Sequence, residues 1–366
     1  MKSQTQARSV GGPLATPLFK LLLAVAVLGM ATAAWRFAVG LGRSTGLSDG
    51  YPWGIWIAFD VVIGTALACG GYAVGFLVYV FNRGKYHPLV RPAVMTSVLG
   101  YSIAGLSIMI DLGRPWHVWK VPALVTHWNL RSALLEVALC VMAYTLVAWI
   151  ELSPAFLERW KTSGREGLRR FAERGSRFLD RGLIWILALG LLLPTMHQSS
   201  LGSMMLLAGP RLHPLWNTPI LPLLFLISCL FMGYAVVVLD SVVSTTYFNR
   251  PRETPILGRL GRAASWTGLL FVALRLADLA VRGRLDLLAR LDFRGVMFWL
   301  ENLLLLVAPL ILFYGQRNPD LKRLFQGGMI LAGAGALYRF DTYLVAFDPG
   351  PGWAKTADDS QVTLSN

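Results

Sequence analysis

The chain has 366 residues, 55% of them apolar, a mean hydropathy of +0.54, 13 tryptophans and only 15% charged residues. That composition excludes an ordinary soluble domain and describes an integral membrane protein. The net charge of +14 does not call for nucleic acid, because the excess lies in short connections between apolar runs, where membrane topology accounts for it.

Nine apolar runs predict an all-α, polytopic transmembrane helix bundle of about nine helices: 18–38, 54–81, 92–112, 130–150, 182–208, 219–247, 263–281, 295–314 and 324–344. Runs of about 20 residues without period-two alternation argue against a β-barrel. The first run follows a basic tail, residues 1–17. Later runs are as long, and no cleavage site opens a polar mature domain, so it reads as a retained helix. With that tail cytoplasmic, the inner connections receive 21 of the 34 lysines and arginines, and the C-terminal tail, 345–366, falls outside. The outer connection 282–294 is basic too.

The second run carries Asp60 about one turn in, with Gly64, Gly70, Gly71 and Gly75 in its middle. An acid there is either satisfied inside the bundle or set beside a wet cavity, and is a functional candidate by position. The glycines are close-packing positions. Asp111 and Arg114, three apart, can share one helical face, as can Arg275 and Asp278. Arg339 and Asp341 cannot, which sends them to partners on other helices. The outer connections 113–128 and 209–219 are rich in Trp, Pro and His and suit ordered interfacial loops that cap a site or seat a partner. The basic connection 151–181 predicts a short amphipathic helix at the inner surface, with Phe171 and Phe178 on its apolar side.

Of the five histidines, His87, His117, His127 and His213 fall in connections, leaving His197 inside a run; a two-haem b-type bundle needs about four axial ligands on helix faces. Cys69, Cys140 and Cys229 lie singly in three runs, so they read as packing residues, not cluster ligands. No phosphate loop, zinc-protease motif or serine elbow is present. No metal site is expected. His197 lies in the fifth run, whose Pro194 and Gly202 favour a bend or an unwound turn.

On this topology Asp60, Arg114, Glu136 and His197 can converge on one outward-facing pocket. Trp53, Trp56, Tyr72 and Trp116 are suitable walls or donors for a quinone. A satisfied packing histidine is the competing reading of His197. Glu136, Asp240, Arg275, Asp278 and Glu301 are candidates for a proton path, with static pairing as the alternative.

The segments YPWGIWIAFDVVIGTALACGGYAVGFLVYVFNRGKYHPLVRPAV, YSIAGLSIMIDLGRPWHVW, LPTMHQSSLGSMM, LHPLW, FRGVMFWLE and LYRFDTYLVAFDPG together resemble the NrfD/PsrC family of quinone-interacting membrane subunits, and within it the HybB-like branch of nickel-iron hydrogenase-2. The resemblance implies a haem-free membrane anchor in a bacterial inner membrane. It passes electrons between menaquinone or ubiquinone and an external ferredoxin-like subunit with four iron-sulfur clusters, itself served by the small and large hydrogenase subunits. It also implies a link to proton translocation and carries a quinone role to Asp60, Glu136 and His197. The branch has a tenth helix beyond the proline-glycine turn, whereas this chain continues as DPGPGWAKTADDSQVTLSN and stops. Two alternatives stand beside this reading: a quinol-oxidising subunit of another NrfD/PsrC oxidoreductase, and a solute or ion transporter, for which buried charges and glycine-rich helices are also expected.

Overall fold

The structure, a computed structural model, describes residue 15 and residues 17–45, 54–247, 254–314 and 320–348. Among the described residues nine long helices follow the nine apolar runs: α1 (Pro17–Val39), α2 (Ile57–Val80), α3 (Val90–Asp111), α4 (Ala133–Lys161), α5 (Glu166–Leu206), α6 (Leu221–Tyr247), α7 (Thr254–Val281), α8 (Phe293–Tyr314) and α9 (Leu321–Phe340). The first eight are long and apolar enough to cross a membrane. The ninth is diluted by Lys322, Arg323 and its glycines, and continues as a π-turn, Asp341–Val345. Among the described residues the one extended pairing is an isolated bridge between Leu212 and Phe347.

Helices α2 to α5 pack as one four-helix group and α6 to α9 as another, joined where α6 lies against α2 and α5. Helices α2 and α6 are therefore the most buried spans. Helix α1 stands at the edge, with Leu21, Leu22, Val25 and Leu28 exposed as a lipid-facing surface requires.

Helix α2 is not the regular helix its hydropathy suggests. It opens with a π-helical turn, Ile57–Ile63, which carries Asp60, and breaks at Ala68–Cys69 before resuming at Gly70. Ser97 on α3 repairs the break, its hydroxyl donating to the Ala68 carbonyl at 2.6 Å and accepting the Gly71 N–H at 2.9 Å. That splint needs close helices. A Cβ on Gly71 would lie 3.0 Å from Val94 Cα and 2.9 Å from Ser97 Oγ. Gly71→Ala is therefore expected to destabilise the solubilised protein by about 1–3 kcal/mol, read as a lower thermal midpoint. Gly105→Ala, which points into open space, should leave the midpoint unchanged or raise it.

The basic connection differs from expectation. Helix α4 runs on to Lys161 and α5 begins at Glu166, so residues 166–181 continue the fifth span as one helix of 41 residues instead of lying separately at the surface. At 1.5 Å per residue that is about 60 Å, twice the hydrocarbon thickness. No proline falls within 166–181, and the extension is held as a hairpin by buried Ala172, by Gly175 against Leu157 and by Trp160 against Phe171. Pro194 bends nothing open; α5 stays helical through it.

One end of the bundle is tied shut by its connections. Arg282 Nη1 donates to the carbonyls of Pro214 and Asn217, His213 N to Ala346 O, and Asp348 N to Arg211 O. Burial, followed by Arg294, pushes His213 below the usual imidazole pKa, and its Nδ1 accepts the Leu215 N–H at 3.4 Å.

Candidate functional site

At the same end, the close of α1, the short helix Leu41–Thr45, the π-turn of α2 and the close of α3 enclose a cavity of ≈330 Å³. Trp35 and Trp56 wall it, Thr32, Ser44 and Ser107 supply hydroxyls, and Arg36, Asp60 and Asp111 supply charge. Arg36 is buried; its Nη2 donates to the Leu112 carbonyl while its Nε has no partner. Asp60, from the π-turn of α2, and Asp111, from the close of α3, bring their carboxyls together into this one cavity. Two acids so placed repel as a pair of charges, and sharing one proton between them removes that cost. One oxygen of each, Asp60 Oδ1 and Asp111 Oδ2, is buried without a partner. The cavity thus offers aromatic faces, a cation with a spare N–H and a proton-sharing acid pair.

Deeper in the same group of helices, α5 places His197 and Gln198 at its centre, both fully buried. Gln198 Nε2 donates to Thr65 Oγ1 at 3.2 Å, and the Tyr101 hydroxyl meets Cys69 Sγ at 3.3 Å. The His197 ring lies 6.0 Å from the Tyr101 ring, and neither imidazole nitrogen has a partner. Arg339, on α9, closes this region from the other helix group: Nε donates to Ser228 Oγ, Nη1 to Val62 O and Nη2 to Phe225 O, at 2.7–3.1 Å. Its partners lie on other helices, as the Arg339/Asp341 spacing required.

The second group of helices holds a separate charged centre. Arg275 Nη2 and Glu301 Oε1 form an ion pair at 2.7 Å, both essentially inaccessible to solvent. The guanidinium sits against Phe298, Tyr338, Phe271 and Trp216, at 4.3–5.8 Å from the ring centroids. Asp341 is buried beside them. Asp278 does not pair with Arg275. It bonds Arg282 one turn on, at 2.7 Å, because Glu301 reaches Arg275 from α8.

The expected four-residue convergence divides. Asp60 and Trp56 line the cavity; Arg114, Glu136, His197 and Trp116 do not. Leu112 turns extended, which ends α3 at Asp111, so Arg114 leaves the helical face that the spacing gave it and is exposed beside exposed Trp116. Glu136 is half-buried in the first turn of α4. Tyr72 is buried and bonds Thr195 Oγ1 at 2.9 Å. Asp240 borders a cavity of ≈660 Å³ between α3 and α6. Trp53 lies outside the described residues. Sequence reasoning missed Arg36, which looks like a flanking charge at the end of an apolar run, and the place of Asp111 in the site.

The family model described as "Polysulphide reductase, NrfD" matches residues 43–341. The chain is 40% identical over 352 residues to the probable Ni/Fe-hydrogenase 2 b-type cytochrome subunit of Escherichia coli, covering 94% of this chain and 86% of that protein. It is 32% identical over 344 residues to a protein of Nitratidesulfovibrio vulgaris, covering 91% and 84%. Across 173 residues it is 34% identical to the menaquinone reductase integral membrane subunit of the same organism, covering 47% and 39%.

Proposed function

The chain belongs to the polysulphide reductase NrfD family, and on that premise we propose that it is the quinone-reactive membrane anchor of a respiratory nickel-iron hydrogenase complex. In this reading an external iron-sulfur subunit, fed by the small and large hydrogenase subunits, delivers electrons singly, and menaquinone or ubiquinone is reduced at the Asp60–Asp111 cavity. The observation that carries the reading is that cavity: Trp35 and Trp56 for the ring, Arg36 to polarise a carbonyl, and an acid pair with one proton to give. The menaquinone reductase subunit among the relatives supports the substrate class. The exposed Trp116 and Trp119, in the connection beside Arg114, suit docking of the iron-sulfur partner.

His197 becomes an interior relay or a positioning group rather than a direct donor. Glu301 with Arg275, and Asp278 with Arg282, become neutralised pairs that anchor the second group of helices. Glu136 and Asp240 keep their place as candidates for proton supply.

The word cytochrome in the name of the Escherichia coli relative implies a haem there. The donor set of this chain does not fit one held by two histidines. His197 is the one histidine deep in a spanning helix, and the other four lie in connections or the turn ahead of α3. We therefore route no electron through haem. The basic bias of the connections supports an inner-membrane placement with a cytoplasmic N-terminus and the cavity facing outward.

The test is hydrogen-dependent reduction of a short-chain menaquinone analogue by the purified complex, with reduction of a soluble dye as the control for assembly. Trp56→Ala should raise KM for the quinone about tenfold and leave dye reduction intact. An unchanged KM would remove Trp56 from the ring site.

A further inference from the structure

Glu151 has no role in the site above, and its position in α4 is unusual. It lies 18 residues past Ala133, where α4 begins, which is about 27 Å along the helix. That places it at the far end of the bundle from the Asp60–Asp111 cavity. Its carboxyl fills a notch in α5: Gly190 is buried, and a Cβ there would collide with Glu151 Oε1.

With Gly71, Tyr72, Gly75, Tyr79 and Pro154, Glu151 lines a cavity of ≈150 Å³. Such a space holds several waters, one water needing about 10–15 Å³. No lysine, arginine or histidine borders it, and among the described residues Glu151 makes no ion pair. A carboxyl with no countercharge, facing a small space for water inside a membrane span, is costly unless it exchanges a proton.

What lies beyond it has direction. Tyr72, in the cavity wall, bonds Thr195 Oγ1. Thr195 is within one turn of His197 and Gln198 on α5, and Gln198 bonds Thr65, itself little more than one turn from Asp60 on α2. The Thr195 hydroxyl donates to Leu191 O and the Thr65 hydroxyl to Val61 O, and both His197 nitrogens are without a partner, so these polar groups lie between the two cavities with gaps that water would have to bridge. The acids of the second group of helices offer no such line, since Glu301 and Asp278 are each held by an arginine.

We propose that Glu151 is the entry carboxyl of a proton path through α2 and α5 that supplies the Asp60–Asp111 cavity from the opposite face of the membrane. The proposal rests on the quinone reading above. For each quinone reduced to quinol, two electrons come from the external iron-sulfur partner, and the acid pair gives its one proton to the first carbonyl oxygen, is reprotonated, and gives a second to the other. Two protons from water at the far face restore the pair through Glu151, relayed by water, hydroxyls and the His197 imidazole, each accepting one proton as it passes one on, while Gln198 holds Thr65 in place.

Two measurements test it. Dicyclohexylcarbodiimide modifies protonated carboxyls in apolar surroundings, so treatment of native membranes holding the complex, followed by mass spectrometry, should modify Glu151; absence of modification in the wild-type chain would overturn the proposal. In the assembled complex Glu151→Gln should lower hydrogen-dependent quinone reduction about a hundredfold, Glu151→Asp should restore most of it, and dye reduction should report intact assembly. Full quinone turnover in the Glu151→Gln complex would also overturn it. Modification of Glu151 in a wild-type complex that reduces no quinone would uphold proton exchange at this carboxyl and remove the quinone assignment instead.

Discussion

Asp60→Asn is expected to lower hydrogen-dependent quinone reduction about a hundredfold, with dye reduction and the yield of complex unchanged. The carboxamide has nearly the shape of the acid and can still hydrogen-bond Asp111, so the helix contacts of the π-turn survive. What it cannot do is hold and release the shared proton. Asp111→Asn should have the same effect from the other side of the pair. Because the two act as one unit, the double variant should be no slower than either single one, the non-additivity expected of residues sharing one function. Additive losses would mean two independent roles and would break the shared-proton description. Arg36, whose guanidinium is fixed by the Leu112 carbonyl and lies close enough to act on Asp111, frames the pair without replacing it.

The second large effect concerns stability. Glu301→Ala leaves the Arg275 guanidinium buried with rings around it and no carboxylate facing it. Breaking a buried pair from one side costs about 3–5 kcal/mol, whereas replacing both members by apolar residues of similar size is often neutral or better. The single variant should therefore accumulate poorly and melt early. The double variant Arg275→Met with Glu301→Leu should recover most of the wild-type thermal midpoint. If that double variant also sustains quinone reduction, the pair is an anchor and not a step in proton supply. If it assembles normally and is inactive, the pair belongs to the path.

Much of the fold was legible because hydrophobic runs and membrane thickness leave few choices. Each of the nine runs became a helix, and the position of Asp60 near the mouth of α2 followed from its place one turn into a run. Spacing misled where helices end. Asp111 and Arg114 are three apart, but the extended Leu112 stops α3 between them, and Asp111 lines the cavity with Asp60. Arg275 and Asp278 do share a helix, yet a carboxylate from α8 lies closer to Arg275 than its own neighbour, a contact between distant runs that one sequence cannot supply. Glu151 falls at the first position of the basic connection 151–181, just past the fourth apolar run. Only the unbroken course of α4 to Lys161 sets it, half-buried, against Gly190 of α5. The π-turn under Asp60 and the Ser97 splint at the break in α2 are tertiary in origin and left no mark in hydropathy.

In the proposed site the quinone ring lies between Trp35 and Trp56 at the Asp60–Asp111 pair. The most direct measurement is a cryo-EM map of the intact complex prepared with a tightly bound quinone analogue. Ring density is expected in that cavity, with a carbonyl oxygen within hydrogen-bond reach of Arg36 or of one of the two carboxyls and the nearest iron-sulfur cluster on the same face. Ring density in the larger cavity beside Asp240, with the Asp60–Asp111 cavity filled only by water, would contradict it.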